Sequence, residues 1–204
     1  MPERADLARW LAHAARDQVQ LVGMSDHFVS EALYLRDPDH HGIEIYADRP
    51  RERWEGQVGQ RMTSFPLDTE DLVSVLEEPA SSSFDGLVPG TVIGHVHLRV
   101  AEIASTVAFY RDVLGFGLMA QLGAHAAFLS AGGYHHHLGA NTWESAGAGQ
   151  APAGYASLGH ATIVLPSADA RDSLVEQAGG AVDEVDGSPV IRDPSGNRLA
   201  LAAA

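Results

Sequence analysis

The sequence predicts an α+β chain built from repeated strand–helix–strands modules, the first of them incomplete. Two observations carry this expectation. In Gly94–Val100, the apolar Val96, Leu98 and Val100 alternate with His95, His97 and Arg99, the period of a half-buried strand. Residues 102–114 then switch to helical spacing, with Ile103, Val107, Tyr110 and Leu114 on one face and Gly115 as the stop. The second observation is internal repetition. Asp37-Pro38-Asp39-His40-His41-Gly42-Ile43-Glu44-Ile45 lines up with Asp193-Pro194-Ser195-Gly196-Asn197-Arg198-Leu199-Ala200-Leu201, and Pro2–Ala8 with Pro166–Asp172. In the later copy the helix follows a strand, Gly159–Leu165; in the early copy Met1 stands where Leu165 stands. The early copy therefore lacks its first strand.

The elements follow in order. Residues 3–16 form a helix with Leu7, Trp10, Leu11 and Ala14 on one face. After Leu21-Val22-Gly23 comes a strand pair, Phe28–Leu35 and Gly42–Tyr46, separated by the turn-forming Asp37–His41. Residues 48–62 are charged and contain Trp54 and Met62. Leu67–Leu72 begins a short helix with Asp68 or Thr69 as cap. Residues 79–90, rich in Pro, Ser and Gly, read as a linker or long loop. Beyond 92–114, Ala126–Leu129 is a strand, and Gly132-Gly133 turns into Tyr134–Leu138. Residues 144–157 are a Gly/Ala/Pro loop. Leu158–Leu165 is a strand and 167–178 a helix. Val190-Ile191 and Leu199–Leu201 close the chain around Asp193–Asn197. These expectations divide the chain into a partial module (1–60), a linker with a short helix (61–90), and a C-terminal domain (91–204) of two modules, 91–143 and 158–202.

Bulk composition narrows the function. The chain has 204 residues, 45% of them apolar and 20% charged, as in an ordinary globular protein. With no cysteine it has neither a disulfide framework nor thiolate metal sites, which is compatible with a cytoplasmic location. No apolar signal core or membrane-spanning window is visible. The net charge of −14 repels phosphate backbones and argues against nucleic-acid binding. Eleven histidines exceed what packing requires and, without cysteine, histidine and carboxylate are the natural metal ligands.

Repeated βαβββ modules that open on a histidine strand and continue into Phe109-Tyr110-Arg111-Asp112-Val113-Leu114-Gly115-Phe116 resemble the vicinal oxygen chelate superfamily, which includes glyoxalase I, bleomycin-resistance proteins and type I extradiol dioxygenases. Ser30–Asp39, Gly42–Pro50, Gly94–Leu98 and Tyr134-His135-His136-His137-Leu138-Gly139, with Asn141-Thr142-Trp143, resemble the catechol-2,3-dioxygenase-like branch. The resemblance covers nearly the whole chain. It implies cupped mixed sheets and a longer N-terminus with four modules in two cups, of which this chain lacks the first module and the first strand of the second.

The resemblance also implies a chemistry. Extradiol enzymes hold Fe(II) with two histidines and one glutamate, leaving open positions for a small aromatic diol and O2. In the later cup His95 and His160 match the histidine positions, and the carboxylate position is Ala200. In the earlier copy that position is Glu44, whose partners would fall in the missing segment. Neither cup carries a complete triad. Mn(II) or no metal are the alternatives to iron. His136 matches the acid–base histidine, and histidine titrates near neutrality as that role requires. Strand alternation would place His135 and His137 on the face opposite His136. His97, on the face of His95, is a candidate substrate-binding residue. Each also has a plainer reading: His95 and His160 as structural strand histidines, His135–His137 as a solvated run, Glu44 as a solvent-facing carboxylate. His40 and His41 read as exposed loop residues.

The leading expectation is an extradiol ring-cleaving dioxygenase of the catechol type, or a truncated relative. A non-catalytic binder of the bleomycin-resistance kind, favoured by Ala200, and a glyoxalase-like metal-dependent lyase or isomerase are the alternatives. An incomplete first module exposes a sheet edge, and a homodimer that covers it, or an aggregation-prone monomer, is expected.

Overall fold

The computed structural model describes residues 1–77, 84–150, 152 and 154–204; part of the 79–90 linker and two positions of the 144–157 loop fall outside the described residues. The chain forms two compact units, Met1–Ile93 and Gly94–Ala204. Among the described residues no helix is long and apolar enough to cross a membrane.

Unit 1 begins with α1 (Arg4–Arg16), followed by β1 (Gly23–Asp26), β2 (Ser30–Arg36), β3 (Gly42–Asp48), α2 (Val58–Arg61), β4 (Phe65–Pro66) and α3 (Thr69–Ser74). The N-terminus of α1 is fixed by Asp6, whose Oδ2 accepts the Glu3 N–H at 3.1 Å. Asp68 caps α3, accepting the Asp71 N–H at 2.9 Å. The apolar stripe of α1 packs as its spacing predicts: Leu7, Ala8, Trp10, Leu11 and Ala14 are buried with Leu33, Ala47 and Leu72. Because side chains alternate along a strand, burying Leu33 of β2 and Ala47 of β3 under the helix turns Tyr34 and Glu44 to the other face. The sheet runs β3-β2-β1-β4, so β3 lies at its edge. The Met1 ammonium reaches the Tyr46 carbonyl on β3 at 2.6 Å. Trp54, in the charged stretch, is buried, its indole N–H donating to the Arg49 carbonyl at 2.9 Å.

Two arginines neutralise the buried Glu31. Arg4 Nε lies 2.6 Å from its Oε2 and Arg49 Nη2 lies 3.2 Å from its Oε1. Arg49 also grips Asp26 with both nitrogens, at 2.6 and 2.8 Å.

Unit 2 contains β5 (Val96–Arg99), α4 (Ile103–Ala108), β6 (Gly117–Leu122), β7 (Ala126–Ser130), β8 (Leu138–Asn141), β9 (Ala161–Leu165), α5 (Ala168–Gln177), β10 (Asp183–Val185), β11 (Ser188–Arg192) and β12 (Arg198–Ala203). Its two sheets run β5-β8-β7-β6 and β10-β11-β12-β9. In each, the first strand of the module pairs in parallel with the last, β5 with β8 and β9 with β12, while the remaining pairs are antiparallel. Leu98, Val100, Leu129, Leu138, Leu199 and Leu201 meet Ile103, Val107, Tyr110 and Leu174 in one core. The helix predicted over 102–114 changes pitch: after Ala108 it widens into a π turn over Phe109–Val113, and Gly115 ends it at φ +75°. The wider turn keeps Tyr110 fully buried.

The repeat is reproduced bond for bond. Asp37 Oδ1 accepts the N–H groups of Asp39 and His41 at 2.9 and 2.7 Å; Asp193 Oδ1 accepts those of Ser195 and Asn197 at 2.9 and 2.8 Å. Arg36 donates to the His40 carbonyl at 2.7 Å as Arg192 does to that of Gly196 at 2.9 Å. The turn needs a left-handed residue, which is Gly196 at φ +86° in one copy and His40 at φ +65° in the other. His40 and His41 are exposed, as expected of that turn.

Candidate functional site

Three histidines of unit 2, His95, His97 and His136, meet on one face of the β5-β8-β7-β6 sheet. The core takes Leu98 and Val100 from this part of the chain, Ala127 and Leu129 from β7, and Leu138 and Ala140 from β8. Alternation turns His97, Phe128 and Gly139 to the opposite face. His97 is paired in register with Gly139, and a Cβ on Gly139 would lie 2.8 Å from His97 Nδ1. The absent side chain is therefore what lets the imidazole lie on the sheet. The His97 ring stands 6.1 Å from Phe128 and 5.7 Å from Trp143, centroid to centroid.

His95 sits one residue ahead of β5, its ring 4.3 Å from that of His136. His136 is 8% exposed and also meets Phe128 edge-on at 5.1 Å. His95, His97 and His136 thus share one aromatic face.

The expectation that His135 and His137 point away from His136 is not met. It assumed a strand through Tyr134–His137. Gly132 and Gly133 take consecutive positive φ values, +65° and +69°, and β8 begins only at Leu138. Outside a ladder the alternation does not operate. His135 is fully buried and its Nδ1 lies 2.9 Å from His136 Nδ1. His137 Nδ1 accepts the Ala131 N–H at 3.3 Å, which leaves its own proton on Nε2. Burial, then the neighbouring His135 and His95, push the His137 imidazole below its ordinary value. Sequence reasoning missed His135; the paired glycines before it were the signal that the strand had not yet begun.

His160 precedes β9 in the other sheet of unit 2. Ala200 is in register with Thr162, two residues beyond His160, and is buried. It offers only a methyl group at the position where the resemblance implies a carboxylate in the family. Glu44 lies in unit 1, where it accepts the Tyr34 hydroxyl at 3.0 Å, and His27 Nε2 lies 2.5 Å from that hydroxyl. Burial, then the Glu44 charge, raise the Tyr34 hydroxyl far above its ordinary value, so it stays protonated. Among the described residues no group of three or more histidine, aspartate or glutamate side chains is arranged to hold a metal ion. An open apolar cleft of about 730 Å³ lies in unit 1 between α1, β1 and α3, lined by Leu11, Val19, Met24 and Val73, and it contains none of the candidate residues.

Residues 92–201 match the family described as the Glyoxalase/Bleomycin resistance protein/Dioxygenase superfamily. The chain belongs to this superfamily. It is 40% identical over 200 residues to a catechol-2,3-dioxygenase of Bacillus subtilis (strain 168), covering 95% of this chain and 69% of that protein. Among solved structures it is similar to a lactoylglutathione lyase from Agrobacterium tumefaciens, 20% identical, covering 57% of this chain and 96% of that one, with a TM-score of 0.42. It is also similar to TnmS3, an antibiotic binding protein from Streptomyces sp. CB03234, 17% identical, covering 57% and 98%, with a TM-score of 0.41.

Proposed function

We propose that this chain is an extradiol-type ring-cleaving dioxygenase whose unit 2 cup takes a small catechol-type aromatic diol and O2. The observation that carries the reading is the 40% identity to a catechol-2,3-dioxygenase over nearly the whole chain. The geometry supports it at the substrate end. Phe128 and Trp143 offer aromatic surface to a planar ring, and His97 stands between them as a polar contact. His136, against His95 and Phe128, is the acid–base group that takes a phenolic proton and later returns it. A homodimer and a cytoplasmic location belong to the same proposal.

The metal is the weak member of the set. Fe(II), or Mn(II) in its place, supplies the site for catechol and O2 in this chemistry. His95 and His160 are the candidate donors in unit 2, and Glu44 belongs to unit 1. Ala200 brings no oxygen, and no three-residue donor group is present among the described residues. The residues do not fit a two-histidine, one-carboxylate centre.

That misfit favours a second reading, a non-catalytic binder of small aromatic molecules. Anaerobic loading with Fe(II), followed by iron analysis and oxygen uptake with catechol, separates the two. The dioxygenase reading expects iron retained by the wild type, lost in His160→Ala, and catechol-dependent oxygen uptake. Catechol binding with neither iron nor uptake overturns it in favour of the binder.

A further inference from the structure

The alternation that buries Leu199 and Leu201 in the core turns Arg198, Ala200 and Ala202 of β12 to the other face of the β10-β11-β12-β9 sheet. Asp183, Val190, Ala200 and Thr162 form one row across that face, strand by strand. Arg198 stands two residues before Ala200, and its side chain crosses β11 to reach β10, where Nη2 donates to Asp183 Oδ2 at 2.5 Å. The turn before β12 does not need this arginine. In the unit 1 copy its position is Gly42, and the same aspartate and arginine bonds form there. The arginine that serves the unit 2 turn is Arg192, which faces Arg198 in register and donates to the Gly196 carbonyl. Arg198 therefore completes a cross-strand pair of like charges, which is unfavourable unless an anion answers it. Asp183 does so at one nitrogen only. Arg198 Nε is buried with no hydrogen-bond partner among the described residues, and an unmet donor on a charged group is costly.

We propose that Arg198 binds the carboxylate of a small acidic ligand on this face. The resemblance implies a resident carboxylate at the position of Ala200, and the alanine supplies none; the charge two residues away on the same face is a fixed cation. This face thus receives a carboxylate instead of supplying one. The planar fork of a guanidinium matches a carboxylate with two parallel hydrogen bonds. A monoanion suits it better than a phosphate dianion, because Asp183 stays beside the site and repels the second charge. The Arg198 and Asp183 side chains are 31% and 47% exposed, so a ligand reaches them from solvent. Thr162 and the exposed Val164 lie on the same face of β9, in register with Ala200 and Ala202, and offer apolar surface to the body of the ligand. The inference goes beyond the dioxygenase reading and does not depend on it, since it needs neither iron nor turnover.

The test is a titration of the full chain with benzoate, followed by ¹H–¹⁵N NMR at the arginine Nε atoms; the Arg198 signal is the one lost in Arg198→Gln. Sodium chloride at matched ionic strength and the neutral benzamide are the controls. The wild type is expected to show a saturable shift of the Arg198 signal with benzoate and none with either control. Line broadening of the benzoate signals gives its affinity in the variants. It is expected to fall about 10-fold or more in Arg198→Gln and to rise in Asp183→Asn, which removes the repelling charge. A shift that chloride reproduces marks an adventitious ion only and overturns the proposal. Equal shifts with benzamide, or an affinity that Arg198→Gln leaves unchanged, overturn it as well. Should Arg198→Gln fail to fold, Arg198→Lys assigns the signal and Asp183→Asn decides: an affinity no higher than that of the wild type overturns the proposal. A chain that binds benzoate in this way yet fails the oxygen-uptake assay loses the dioxygenase reading and keeps the carboxylate site.

Discussion

Gly139 is the residue on which the aromatic face depends most simply. His97 fills the space a side chain would take, so Gly139→Ala must displace the imidazole from its place beside Trp143. His97 is exposed and can swing outward, which keeps the cost near 1 kcal/mol. Trp143 is 64% exposed whereas Trp10 and Trp54 are buried, so the expected change in tryptophan emission reports on Trp143; unchanged emission would contradict the packing described. His95 and His97 were placed on one face because β5 is a true strand, with Leu98 and Val100 buried. The expected alternation at His135 fails because Tyr134–His137 runs straight into β8 but has two left-handed glycines ahead of it, so the strand starts only at Leu138. The Tyr34–Glu44 bond could not be read from spacing, since it depends on the register of β2 against β3, where the two residues face each other.

Among the elements, the duplicated aspartate turns were legible because their geometry is local. Each aspartate ties down backbone N–H groups two and four residues later, a pattern written in the sequence as Asp-Pro followed by turn residues. Their energetic weights differ. Asp193 is 4% exposed and also accepts the Tyr110 hydroxyl at 3.2 Å and the Asn197 side-chain amide at 2.8 Å. Asp193→Ala is expected to cost about 2–4 kcal/mol, because it strands buried donors, and Asp37→Ala, in a more open turn, distinctly less. Urea unfolding of the two variants checks the order. The ion pair between Asp26 on β1 and Arg49, the residue after β3, has its own pH signature. Burial pushes the Asp26 carboxyl up, but its hydrogen bonds to Arg49 and to the Phe28 N–H, with the Arg49 charge, bring it below the ordinary carboxylate range. Its folded value is thus below its unfolded one. The stabilisation is fully present above about pH 4 and is lost as pH falls through the folded value. Unfolding followed across this range should show a shallower acid dependence in Asp26→Asn than in the wild type; parallel curves would contradict a stabilising Asp26–Arg49 ion pair. The π turn after Ala108 was not legible, because a helical apolar stripe constrains which face is buried and not the pitch.

At the scale of the whole molecule, the module repeat shows in how the strands pair. In unit 2 the last strand of each module has a parallel neighbour; in unit 1 the corresponding β3 is the edge of its sheet. Ile43 on that strand is 42% exposed. An edge of this kind invites pairing, and the account expects sedimentation to report a homodimer, with a monomer at every concentration contradicting it. The fold class was legible because repetition and periodicity are properties of the chain alone. The chemistry was less so: Ala200 can be seen in the sequence to lack a carboxylate, but only the structure brings His136 against His95 and gives it a buried imidazole partner. The central claim is that the face carrying His95, His97 and His136 takes a catechol and that His136 moves its proton. Oxygen uptake with catechol after anaerobic Fe(II) loading, compared between wild type and His136→Ala, tests it most directly. The account predicts uptake by the wild type and a rate about 10²–10⁴-fold lower in the variant; equal rates in the two, or no uptake by a wild type that binds catechol, would contradict it.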